Sequence, residues 1–117
     1  MTMRFFITIY VMVSGFVSMA LFDYLIYVQR RDHRDAWLRD GRPNGFIYTP
    51  FENGKSIAER MRYGRATGRI GRSMWFKTPE WISHSAPGVR AAYWAYRLII
   101  LSAFIVVAVY LIFSLMN

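Results

Sequence analysis

Several residues in this 117-residue chain have types and spacing that could do chemistry, and each can be tested against what that chemistry requires. Gly54-Lys55-Ser56 is the closing part of a phosphate loop, in which backbone N–H groups and a lysine cradle a nucleotide. The full pattern needs a leading glycine at position 49, where Thr49 stands, and no apolar strand precedes it. Gly64, Gly68 and Gly71 do not match the dinucleotide-binding spacing either. His33 and His84 are the only histidines and lie in different segments, without the paired spacing of a metal site. Neither apolar run contains a histidine to serve as an axial haem ligand. The acidic residues alternate with arginines, which leaves no pair of carboxylates for acid–base work. The absence of cysteine excludes a disulfide scaffold, a thiolate metal site and a cysteine nucleophile. No catalytic constellation emerges, and no cofactor, metal or small-molecule substrate is expected; bound phospholipid is the one small companion compatible with the composition.

Two chemical features survive, an isolated acid at Asp23 and a series of arginines, and their meaning depends on the elements that carry them. Apolar residues crowd into both ends of the chain. Residues 5–28 contain a single charge, Asp23, and residues 98–116 contain none. As helices these stretches measure about 36 and 28 Å, against roughly 30 Å of bilayer hydrocarbon. Both can span. A pair of core helices in a soluble protein would need a large partner that the rest of the chain does not supply. Arg4 and Ser18-Met19-Ala20 resemble parts of a secretory signal, but the apolar run continues past Ala20 to Val28, too long for the apolar region of a signal peptide. The segment is therefore expected to remain as a transmembrane helix.

Of the thirteen arginines and two lysines, only Arg4 lies outside the middle segment, residues 29–97. Basic residues stay on the cytoplasmic side of a membrane, so this segment is expected there and both termini on the other face. Tyr24, Tyr27, Tyr93, Trp94 and Tyr96 would form an aromatic belt at the cytoplasmic interface. Asp23 then lies about 7.5 Å inside that end of the first span. An acid at this depth requires a protein or water partner. Arg97 enters the second, antiparallel span from the same side, so an Asp23–Arg97 ion pair is expected. It would act as an interhelical staple rather than as a proton relay, which a single acid near an interface serves poorly.

The resulting fold class is an all-α membrane protein, with two antiparallel transmembrane helices joined by a basic, partly helical cytoplasmic segment. Residues 1–4 form a short non-cytoplasmic terminus. The first helix continues through about 29–40 and stops at Gly41, with Pro43 beyond. A Gly-, Pro- and Asn-rich loop follows. Ser56 and Glu59 match a capping box, which predicts a second helix over about 56–76. On it Arg62, Arg65, Arg69 and Arg72 recur at helical steps as a basic stripe. Ile57, Met61, Gly64, Gly68, Gly71 and Trp75 make the opposite face. Three glycines cost such a helix about 1 kcal/mol each relative to alanine, so it needs a surface to order it.

Residues 29–97 carry fourteen basic against six acidic side chains, a net charge of +8. That stripe can set topology and rest on anionic headgroups, dock an acidic protein surface, or bind nucleic acid. The last is disfavoured, because no nucleic-acid fold fits so short a tethered segment. The leading expectation is a non-catalytic accessory subunit of a larger integral membrane complex, of respiratory or transport type. Arg62, Arg65, Arg69 and Arg72 would contact the partner or lipid headgroups, and Trp37, Phe46, Tyr48, Phe51, Trp75 and Trp81 would be packing anchors. A free-standing protein that binds anionic lipid through the basic helix is the alternative. A self-assembling pore is the second, weakened by the scarcity of polar residues in the spans.

The order of motifs adds a resemblance. A span leads to His33-x-x-x-Trp37, then Gly41-Arg42-Pro43, Phe46, a basic helix, Thr78-Pro79, and Val89-Arg90 before the last span. This layout resembles the small two-pass bacterial membrane proteins grouped around universal stress protein B. The match covers most of the chain in architecture. Arg34 stands where such proteins often carry proline, and the glycine-rich basic helix is a departure. The resemblance implies a bacterial inner-membrane location and an association with stress, and it supplies no catalytic residues.

Overall fold

The computed structural model describes residues 2–48, 50 and 56–116, with the side chains of Glu59, Arg60 and Arg62 outside the description. The described residues are helical or irregular, with no strand. Helix α1 spans Thr2–Asp32, α2 Arg34–Arg39, α3 Ile57–Ser73, α4 Glu80–Ser83 and α5 Pro87–Met116. The expected extension of the first helix is interrupted at His33, whose backbone leaves helical geometry before α2 begins.

Two helices, α1 and α5, are long and apolar enough to cross a membrane. At 1.5 Å per residue each measures roughly 45 Å, close to the longest dimension of the molecule, 51 Å. Nothing in α1 breaks the backbone ladder, and α5 begins with Pro87 in its first turn, where the missing N–H has no helical partner to lose. The helices lie side by side. Arg4 Nε donates to Tyr110 Oη at 2.8 Å, the Tyr10 and Ser102 hydroxyls meet at 2.6 Å, and the Phe22 and Tyr96 rings are 5.8 Å apart. Away from this contact the apolar side chains face outwards. Phe5, Phe6 and Phe16 of α1 and Phe113, Leu115 and Met116 of α5 are all exposed. An uncovered apolar surface of this extent is stable in hydrocarbon and would associate in water.

The core lies at one end only, where the two long helices meet the middle segment; we call this the inner end. Phe22, Leu25 and Ile26 of α1 pack with Val89, Tyr93 and Tyr96 of α5, with Met74 after α3, and with Trp81 and Ile82 of α4. Polar tips on the aromatic residues tie the end of α3 to α5. Tyr93 Oη donates to the Met74 carbonyl at 3.0 Å, Tyr96 Oη to the Gly71 carbonyl at 3.3 Å, and Trp75 Nε1 to Tyr96 Oη at 3.3 Å.

Helix α2 ends with two backbone bonds, Gly41 N to Leu38 O and Arg42 N to Trp37 O. This pairing closes a helix when the next residue turns left-handed, and Gly41 has φ 92°. Arg42 also takes a positive φ, 58°, a conformation that costs a residue with a Cβ. The chain then folds back onto α1.

The glycine face expected on α3 divides. Gly64 and Gly68 have nothing within 4 Å of where a side chain would sit, whereas Gly71 lies against Phe22 and Tyr96. The line turned to the rest of the chain is Ala66, Thr67, Ile70 and, beyond the helix, Met74. Packing against this chain's own loop and core therefore orders α3.

Candidate functional site

The inner end brings together most of the residues singled out from the sequence, with different partners. The Asp23–Arg97 ion pair is not formed. One Asp23 oxygen accepts the N–H of Phe46, and the other accepts those of Ile47 at 2.8 Å and Tyr48 at 3.0 Å. Three successive backbone donors supply the partners that a carboxylate at this depth requires, and such charge-assisted bonds are stronger than neutral ones. The arrangement depends on Gly45: a Cβ there would sit against the carboxylate, 2.7 Å from its Cγ and 3.2 Å from the Asp23 Cα. The stretch from Arg42 reads as a Gly-, Pro- and Asn-rich loop in the sequence, and consecutive backbone N–H groups at a bend form an anion-accepting concavity. That signal was available, but it does not say which acid the loop would meet. Arg97 instead lies with its guanidinium carbon 5.3 Å from the Trp94 ring.

The aromatic anchors are redistributed in the same way. Trp37 and Trp81, expected as packing anchors towards a partner, are buried within this chain itself. Trp37 donates its ring N–H to the Pro43 carbonyl at 3.0 Å. Arg30, Arg34 and Arg42 gather round it, their guanidinium carbons 6.0, 5.7 and 5.6 Å from the ring, and Arg42 also covers Tyr63 at 4.8 Å. This group of three arginines carries no periodic signal in the sequence, because its members are spread over residues 30–42. Tyr48 is half-buried, its hydroxyl 3.2 Å from Arg30, and its ring packs on Tyr27. Phe46 rests on Phe22 yet stays largely exposed. Phe51 lies outside the described residues, as does the side chain of Arg62. Arg65 and Arg72 are exposed on α3, and Arg69 reaches back to donate to the Asp40 carbonyl at 2.9 Å.

Both histidines line one open polar pocket of about 390 Å³ at the inner end, along with Asp32, Asp35 and Glu80. His33 Nε2 and Ser85 Oγ are 2.9 Å apart, and the His33 ring lies against Trp81 at 5.2 Å. Asp32, beyond the apolar part of α1, is held below the usual carboxylate range by its hydrogen bond to the neighbouring Arg31. Among the described residues no group of three or more acidic or histidine side chains could hold a metal ion.

A second cavity is apolar and lies between the long helices. It is an open cleft of about 450 Å³ between Ser14, Gly15 and Ser18 of α1 and Ile99, Ala103 and Phe104 of α5. Phe46, Trp75 and Tyr96 line its inner part, and Trp75 stacks edge-on against Phe104 at 5.4 Å.

Compared with protein-family models, curated proteins and solved structures, the chain matches none, and nothing in those comparisons links it to universal stress protein B.

Proposed function

We propose that this chain is a non-catalytic integral membrane protein. It crosses the bilayer twice with antiparallel helices, keeps its basic middle segment in the cytoplasm, and serves as a small accessory subunit of a larger membrane complex of respiratory or transport type. The observation that carries this proposal is apolar surface left uncovered outside the spans. Ile47, Ile57, Met61 and Phe76 are 86, 76, 70 and 77% exposed in the middle segment. Exposed apolar clusters rimmed by charge suit a protein interface. On α3, Ile57 and Met61 continue into the open Gly64 and Gly68 positions, where another backbone can approach closely, with Arg65 and Arg72 alongside.

The test is native electrophoresis after mild detergent extraction, with mass spectrometry of the band containing the protein. Migration far above a small homo-oligomer, with reproducible companion subunits, is the expected result. Charge reversal of Arg65, Arg69 and Arg72 should release the protein from that assembly at physiological salt. A lone small band would contradict the accessory role. Strong, salt-sensitive binding to anionic vesicles without companions would favour the lipid-binding alternative.

A further inference from the structure

The loop that follows α2 reaches a depth that its place in the sequence does not suggest. We propose that residues 45–48 dip into the hydrocarbon edge of the inner leaflet, with Phe46 and Ile47 among the acyl chains and Asp23 as the anchor that holds them there. The proposal rests on the two long helices spanning a bilayer. It assigns Ile47 to lipid and leaves Ile57 and Met61 of α3 as apolar surface open to a protein partner.

Hydrogen bonds to α1 fix the depth. Asp23 lies about 7.5 Å inside the inner end of the apolar run. A helical side chain leans toward the N-terminus of its helix, which here is deeper into the span. The N–H groups of Phe46, Ile47 and Tyr48 all meet that carboxylate, so the tip of the loop shares its level. Interfacial segments bury apolar side chains roughly 5–10 Å into the boundary between headgroups and acyl chains, and this loop lies within that range. The Phe46 ring is 5.4 Å from that of Phe22 and edges the cleft between the spans.

The composition of the loop suits that place. Residues 43–51 carry no charge, in a middle segment otherwise dense in arginine. Backbone N–H groups near hydrocarbon need partners from the protein. Each one from Asn44 to Tyr48 has such a partner: Asn44 donates to Thr67 Oγ1 at 2.8 Å, Gly45 to the Tyr48 carbonyl at 2.8 Å, and the other three to Asp23. The carboxylate and the loop thus satisfy each other at a depth where either alone would be costly. Apolar side chain is what the tip leaves uncovered, Ile47 being 86% and Phe46 56% exposed. On either side the chain returns to polar ground. Asn44 is tied to α3 through Thr67, and the Tyr48 hydroxyl turns to Arg30. The tip therefore continues the apolar surface that α1 presents to acyl chains.

The test uses the full chain, purified and reconstituted in phosphatidylcholine nanodiscs, which leave both faces open to solution. Single cysteines replace Ile47, Val13 in mid-span or Asp35 on α2, all exposed, and each carries a nitroxide. Electron paramagnetic resonance compares collision with oxygen, which concentrates in lipid, and with a water-soluble nickel chelate. The oxygen-to-chelate ratio at position 47 should be close to that at 13 and severalfold above that at 35. Asp23→Ala should lower the ratio at 47 and leave 13 unchanged. Asp23→Asn keeps one acceptor oxygen and should give a smaller fall, which serves where the alanine variant does not fold. A ratio at 47 equal to that at 35 would place the loop in water and overturn the proposal. Low access of both reagents to 47 would overturn it in favour of a second copy covering the loop. An unmoved label at 47 in both Asp23 variants would overturn the anchoring role. A chelate-accessible label at 13 would mean that α1 does not span, and the proposal would fall with that reading. A lipid-exposed 13 beside a water-exposed 47 would lose the loop alone.

Discussion

Asp23 shows how far a single residue can be read. Its depth in an apolar run announces that it needs partners, and the sequence makes a guanidinium on the facing span the obvious choice. The structure instead uses three backbone N–H groups, which carry no side-chain signature and become donors only once the chain has bent at Phe46–Ile47, where the Gly45 N–H donates to the Tyr48 carbonyl at 2.8 Å. Asp23→Ala would leave these donors without their acceptor, and a loss of about 3 kcal/mol is expected. In detergent this should lower the thermal midpoint by several degrees, whereas Arg97→Ala should leave stability nearly unchanged. Gly45→Ala should destabilise by about 2 kcal/mol through overpacking against the carboxylate, and the double variant with Asp23→Ala should cost less than the sum. Trp37 carries a comparable lesson. Its aromatic type suggested an interface, but it is fully buried under three arginines, so Trp37→Ala should cost about 3–5 kcal/mol.

The long helices were legible as elements because an apolar run of 19 to 24 residues has few other uses. The extension of the first beyond residue 28 was legible in outline, and Gly41 marks the end of α2 in both the sequence and the structure. The break at His33 carries no breaker residue and was not. Helix α3 begins at Ile57, directly after Ser56 of the capping box. Its buried line was misjudged because glycine, tyrosine and threonine give a weak apolar pattern. The helix is held through Thr67, whose hydroxyl is 2.8 Å from the Asn44 N–H and 2.7 Å from the Asn44 carbonyl. Since a Cβ at Gly64 or Gly68 meets nothing, Gly64→Ala with Gly68→Ala should stabilise the isolated protein by up to about 1 kcal/mol per site and so raise its thermal midpoint. If these glycines admit a partner's backbone, the same double variant should reduce recovery of the complex. Higher stability with unchanged recovery would remove the glycine face from the proposed interface.

Taken whole, the molecule has a one-sided design. A compact inner end holds the core, including Tyr93 and Tyr96, which are buried there rather than presented as an aromatic belt, and most of the charged groups, while the outer two-thirds of α1 and α5 offers apolar surface to its surroundings. This division was legible from charge distribution alone, since fourteen of the fifteen basic residues lie between the spans. The cleft was not, because it depends on which faces of two featureless apolar helices meet. The chain's lack of cysteine allows the threading to be measured cleanly. Single cysteines at Thr2, Ser73 and Met116, all exposed positions, can be labelled with a membrane-impermeant maleimide on intact cells and on inverted vesicles. Two antiparallel spans with a cytoplasmic middle segment require that positions 2 and 116 label from the outside only and position 73 from the cytoplasmic side only; the reverse pattern would keep the two spans and overturn the orientation. Labelling of all three from one side, or of positions 2 and 116 from opposite sides, would contradict the two-span arrangement.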